Sequence, residues 1–107
     1  MRHVQFWNED RFDDWIALFP ENVELDDPVG TPVKVGKQAA FVDNWNHSHG
    51  GWHLEITNLV IVGNEAAMTV RNTGNVEGHE VVVDSIELYT FGDGTMRGRF
   101  FYNAPGE

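Results

Sequence analysis

Cysteine is absent from all 107 residues. Its absence excludes disulfide staples, thiolate nucleophiles and thiolate metal sites, and suits a reducing compartment. Positive charge is scarce: seven Lys and Arg stand against 17 Asp and Glu, for a formal charge of −10. A nucleic acid is repelled by such a surface, and no basic stripe interleaved with aromatics offsets the repulsion. An anionic membrane is an equally poor partner. No apolar run approaches the roughly 20 residues that cross a bilayer, and residues 1–10 hold no apolar signal-peptide core. The expected protein is soluble and cytoplasmic. A neutral, apolar small molecule suits this background best.

Glycine and proline, at 11 and 4 residues, are too few for a linker or a repeat array. The apolar share of 41% is enough to bury a real core. Residues 1–107 read as one domain. Val4, Trp7, Phe12, Trp15, Ile16 and Phe19 recur at helical spacing and predict an amphipathic helix over 4–19. The stripe skips a turn near Asn8-Glu9-Asp10, so a break there is an open alternative. Pro20 ends the element. A short strand over 22–26 and a turn through Asp27-Pro28-Val29-Gly30 follow. Gly36 to Trp45 reads as a second short helix.

The remainder is strand-like. Trp52 to Ile56 alternates, Leu59 to Val62 ends at the turn Gly63-Asn64, and Ala66 to Arg71 forms the next strand. A turn is expected over 72–78, a long strand over 79–91, a hairpin turn at Gly92-Asp93-Gly94 and a last strand over 95–103. Helices first and an antiparallel meander afterwards define an α+β domain. Both faces of 79–91 are largely apolar: one carries Val81, Val83, Ser85, Glu87, Tyr89 and Phe91, the other Val82, Asp84, Ile86 and Leu88. Either one face lines a pocket while the other meets a second subunit, or a bulge swaps the faces.

Asp27 carries the chemistry that strand phase can reveal. Val23, Leu25 and Asp27 are two apart and point the same way in an extended segment, whereas Asp26 points toward solvent. A carboxylate aligned with core aliphatics must be paired, protonated or facing a cavity, and the last makes a general base. Asp before Pro also suits a turn held by its own side chain, and both readings stand. The histidines of His47-Ser48-His49-Gly50-Gly51-Trp52-His53 lack the spacing of a helical zinc site, so no metal is expected. A solvated or lid-like loop is the reading, with Trp52 facing ligand if the loop covers a pocket. No phosphate-binding glycine loop exists, and no serine sits at a nucleophile elbow.

Trp15-Ile16-Ala17-Leu18-Phe19, then Val23-Glu24-Leu25-Asp26-Asp27-Pro28-Val29-Gly30, Gly36 and Ala39 resemble ketosteroid (Δ5-3-ketosteroid) isomerase and its SnoaL-like, NTF2-like relatives. Asn64-Glu65-Ala66-Ala67, the strand from Val81 to Phe91 and the Gly94 hairpin extend the resemblance over nearly the whole chain. It implies an NTF2-like cone, a curved antiparallel sheet wrapped around N-terminal helices with a deep pocket. It also implies a homodimer and no cofactor.

Residue by residue, the resemblance places the family's catalytic base on Asp27 and its protonated, oxyanion-binding acid on Glu87. The family's tyrosine donor falls on His3, and its pocket-facing residues of the last strand fall on Arg99, Phe101 and Asn103. Histidine thus replaces tyrosine, glutamate replaces aspartate, and an arginine enters a wall the family keeps apolar. Neutral His3 retains a ring N–H to donate; a Glu87 facing Arg99 would stay ionised and could not.

The implied activity is a double-bond shift, in which a proton α to a carbonyl of a steroid-like or polyketide-like ketone moves two carbons along. Two other readings stay open. One is a related cyclase or hydratase. The other is a non-catalytic binding or dimerisation domain, in which Glu87 is a rim glutamate or half of an ion pair.

Overall fold

The aromatic stripe of residues 4–19 folds as two short helices, α1 (Arg2–Asn8) and α2 (Phe12–Ala17), broken where the stripe skips a turn. Asp10 adopts a left-handed conformation with φ 61°. Its N–H bonds the Trp7 carbonyl at 3.3 Å and the Arg11 N–H bonds the Phe6 carbonyl at 2.9 Å, which closes α1 from its C-terminal end. The two helices fold together, and Trp7 and Trp15 meet edge to face at 5.7 Å. This computed structural model describes residues 2–48 and 51–103.

Pro20 starts the turn into β1 (Glu24–Asp26), which pairs antiparallel with β2 (Lys34–Val35). The Gly36-to-Trp45 helix divides into a π-helical turn, Gln38–Val42, and α3 (Asp43–Ser48). Gly36, at φ 87°, turns the chain between β2 and this element while its N–H holds the Val23 carbonyl at 2.8 Å. Phe41 then stacks on Phe19 at 3.7 Å, and Trp45 meets Trp15 at 4.8 Å.

Four long strands complete the sheet: β3 (Trp52–Val62), β4 (Glu65–Val76), β5 (His79–Phe91) and β6 (Met96–Tyr102). The order is β2-β1-β6-β5-β4-β3. The expected α+β architecture is present, but the sheet is mixed, because β1 runs parallel to β6. The two strands expected over 52–62 are one strand with a register shift between Ile56 and Asn58. The turn expected over 72–78 shrinks to Glu77 and Gly78, both at positive φ. Asn72 and Gly74 stay in β4 for identifiable reasons. Asn72 Nδ2 donates to the Val83 carbonyl and Ser85 Oγ, both at 2.9 Å. At Gly74 the Trp52 ring occupies the space that a Cβ would need.

The inner face of the sheet buries Met68, Val70, Tyr89 and Phe100 against Val4, Trp7, Trp15 and Phe19 of the helical side. Burial along β5 alternates with odd-numbered residues inward from Val81 to Tyr89, so a bulge does not swap its faces. Val82 and Ile86 stand exposed on the other face. Among the described residues no helix is long and apolar enough to cross a membrane.

Candidate active site

Between the helices and the inner face of the sheet lies a partly open cavity of about 320 Å³. Its wall is aromatic, with Trp7, Trp15, Phe19, Phe41, Trp52 and Phe100 supplying most of the apolar surface. Asn44 and Ser48 of α3 and Asn72 of β4 add neutral polar groups. The remaining polar wall is His3, Glu87, Tyr89 and Tyr102. A few polar groups converging on an apolar hollow are the usual makings of a small-molecule site.

Glu87 is the carboxyl of this wall, 5% exposed. Strand phase places it there: Ser85, Glu87 and Tyr89 share the buried side of β5. The Tyr89 hydroxyl donates to Glu87 Oε1. His3 Nε2 lies 3.5 Å from the same oxygen and 3.3 Å from the Tyr89 hydroxyl. The α1 helix thus brings His3 to the site, with its ring edge-on to Tyr89 at 5.7 Å. Burial, followed by the charge of Glu87, pushes the Tyr89 hydroxyl well above its ordinary range and keeps it a neutral donor.

Asp27 follows β1 and is half-buried, but it is not itself among the residues lining the cavity. Tyr102 is, and its hydroxyl lies near enough to the Asp27 carboxyl to act on its titration. Burial raises the Asp27 carboxyl above its usual range. Hydrogen bonding from Tyr102 and the charge of Lys34 pull the other way, and the charge of Glu87 adds to the rise. Lys34 is held nearby by donating from Nζ to the Asp27 carbonyl at 3.0 Å. Tyr102 is raised as well, by burial first and by Asp27 next. The cavity therefore meets one carboxyl directly and a second through a tyrosine.

Arg99, Phe101 and Asn103 do not face the cavity. In the β5–β6 register Glu87 lies opposite Phe100, while Arg99 lies opposite Leu88 and Phe101 opposite Ile86, on the outer face. Arg99 stacks over Phe101 at 5.4 Å and reaches Asp26 at 3.6 Å. Asn103 is exposed, its N–H on the Asp84 carbonyl. Three consecutive aromatics, Phe100-Phe101-Tyr102, hide the phase of this strand in the sequence. Gly98 fixes it, since only a residue without Cβ leaves room for Leu25. Asp26 is also corrected: it is buried rather than wet, because β6 brings Arg97 to 2.7 Å from its carboxylate.

Trp52 lines the cavity, held by Trp7 Nε1 donating to its carbonyl at 3.0 Å. His49 and Gly50 lie outside the described residues. Among the described residues no group of three His, Asp or Glu side chains is placed to hold a metal ion. The sequence reading missed Tyr89 and Tyr102 as site residues. The signal for Tyr89 was present, two positions after Glu87 on the same strand.

The chain belongs to the SnoaL-like domain family, whose sequence profile matches residues 1–98. None of the curated proteins matches it in sequence. Among solved structures it is similar to SalBIII, an epoxide hydrolase/cyclase-like enzyme in pyran ring formation of the polyether salinomycin. That match has a TM-score of 0.83 and 21% identity, covering 95% of this chain and 85% of the other. A protein from Jannaschia sp. CCS1, provisionally assigned as a SnoaL-like polyketide cyclase, matches at TM-score 0.75 and 17% identity over 95% and 83% of the two chains. A protein from Kribbella flavida DSM 17836, provisionally assigned as a ketosteroid isomerase, matches at TM-score 0.75 and 20% identity over 98% and 75%. What these share with the chain is an α+β, NTF2-like fold.

Proposed function

We propose that this chain is an acid–base enzyme that moves a proton α to a carbonyl of an apolar, steroid-like or polyketide-like ketone. The observation that carries the reading is the placement of Glu87 on an aromatic wall, with a second carboxyl, Asp27, joined to the same cavity by Tyr102. In this mechanism the Tyr102 oxygen takes the α proton as its own hydroxyl proton passes to Asp27. The C–H electron pair moves onto the carbonyl oxygen and forms a dienolate. Protonated Glu87 donates a hydrogen bond to that oxygen from its second carboxyl oxygen, and His3 is the auxiliary donor. Reversal of the Tyr102–Asp27 transfer returns the proton to the γ carbon. No step draws on a cofactor.

Burial supports both halves of this scheme, because it makes Asp27 more basic and strengthens hydrogen bonds to a developing oxyanion. The experiment is turnover of a β,γ-unsaturated ketone by wild type, Asp27→Asn, Tyr102→Phe and Glu87→Gln. Each substitution is expected to lower kcat/KM by about 10²–10⁴ with the fold retained. An undiminished rate in Asp27→Asn ends the mechanism.

The similarity to SalBIII favours a second reading, ring closure of a hydroxy-epoxide in the same cavity. There an acid protonates the epoxide oxygen while a base removes the attacking hydroxyl proton. A substrate panel holding both compound classes separates the two. A protein that binds members of either class without converting them is instead a binding module.

A further inference from the structure

The ligand cavity has a neighbour. A second cavity of about 170 Å³ is lined by Arg2, Leu18, Phe91 and Met96 together with His3, Phe19 and Tyr89, and the last three line the ligand cavity as well. His3 and Tyr89 are therefore a wall between two spaces, and Glu87 opens only onto the first.

We infer that His3 is a proton-loading residue, which carries protons from the second cavity to Glu87 through the Tyr89 hydroxyl without passing through the ligand cavity. The geometry supplies each link. The Tyr89 hydroxyl proton is engaged with Glu87 Oε1, which leaves the Tyr89 oxygen as the acceptor for a proton on His3 Nε2, 3.3 Å away. A step of transfer is balanced: the His3 imidazolium gives its Nε2 proton to the Tyr89 oxygen as the Tyr89 hydroxyl proton moves to Glu87. The products are neutral His3, a neutral tyrosine whose hydroxyl proton now faces His3, and a carboxyl protonated on Oε1, which turns to present that proton to the ligand cavity. The imidazole then recovers a proton from water entering the second cavity.

The surroundings of His3 favour this direction. Glu87 and Tyr89 of β5 face it from the ligand side, and Phe19 packs edge-on at 6.4 Å. Among the described residues, Arg2 of its own helix is the one charged group lining the second cavity, and no carboxylate lines it. Histidine is the side chain suited to exchange with water near neutral pH. Asp27 bears on the relay at longer range, through its charge on Tyr89. The inference rests on Glu87 serving as the protonated oxyanion donor of the proposed reaction, and it explains how that carboxyl takes up and keeps its proton while a ligand fills the main cavity.

The route is tested without turnover, by proton NMR of the whole chain. The hydroxyl proton between Tyr89 and Glu87 is identified by its loss in Tyr89→Phe, and its exchange with water is followed between pH 5 and 8. His3→Gln is expected to slow exchange by about tenfold or more and to abolish its pH dependence. Leu18→Trp, which fills the second cavity away from Glu87, slows it too. Imidazole added to His3→Ala restores it. Exchange unchanged in His3→Gln and in Leu18→Trp overturns the route. Turnover is scored separately on the same proteins. A wild type that fails to shift the double bond but shows His3-dependent exchange refutes the isomerase reading and supports the route.

Discussion

Arg99 and Glu87 lie on opposite faces of the sheet. Arg99 sits opposite Leu88 and turns outward toward Asp26 and Phe101, while Glu87 sits opposite Phe100 and turns inward. Among the described residues the basic side chain within 4 Å of Glu87 is therefore His3, at 3.5 Å, rather than a permanent guanidinium. Arg99→Gln is expected to leave kcat/KM within about threefold of wild type, because an exposed charge across a sheet is screened by solvent. A loss comparable to that of Glu87→Gln would place Arg99 in the cavity after all.

Asp27 ties stability to pH. Its carboxyl is raised in the folded protein above the ordinary 3.8, chiefly by burial, so the folded state holds a proton that the unfolded chain releases. Stability from this group is complete below pH 3.8 and falls as pH rises through the higher native value. Asp27→Asn removes the titration. Its melting temperature is expected to exceed that of wild type at pH 7, by a margin that narrows as pH is lowered to 4. Equal melting profiles at both pH values would contradict the burial of this carboxyl.

Gly98 is a packing position. A Cβ there would sit 2.7 Å from Leu25 Cδ1, and Leu25 is fully buried. Gly98→Ala is expected to cost about 1–3 kcal/mol in urea unfolding, the usual penalty for overfilling a core. Gly78→Ala, with nothing within 4 Å of the added atom but φ 81°, carries a backbone penalty instead. That is roughly 1 kcal/mol. Equal stability of Gly98→Ala and wild type would show that Leu25 has room to yield.

The outer face of the sheet exposes Val60, Val62, Val82, Ile86 and Phe101. An apolar face of this kind is a natural seam for a second copy of the chain, and we propose a homodimer there. Sedimentation is expected to give a dimer at micromolar concentration and a monomer for Ile86→Lys. A monomeric wild type removes the proposal.

The limits of the sequence were set by where alternation fails. The strand over 79–91 was legible to the residue, because its turns are marked on both sides and its inward positions alternate. The break at Asp10 was visible as a missing turn of the aromatic stripe. Asn72 and Gly74 read as turn residues yet sit in β4, since their local preferences lose to a side-chain hydrogen bond and to the Trp52 ring. The phase of β6 was hidden by aromatics at consecutive positions. The burial of Asp26 required knowing that β6 runs beside β1, a contact between residues 71 apart. Asp27 and Glu87 were singled out by strand phase and resemblance; Glu87 lies on the cavity wall and Asp27 does not line it. The tyrosines that connect them to their surroundings became apparent only in three dimensions.

Strand β3 is the long edge of the sheet, with the two-residue β2 at the other, and its two ends differ. At Leu54, Asn8 acts as a surrogate strand, donating to the carbonyl at 2.7 Å and accepting from the N–H at 2.8 Å. Further along, Leu59 to Val62 are exposed, with Val62 at 70%. Fibril growth by edge-on strand addition, the standing hazard of an open sheet, is thereby blocked at one end and concentrated in a four-residue aliphatic stretch at the other. A lysine at Ile61, exposed and on the face away from the proposed dimer seam, would serve as the gatekeeper that stretch lacks.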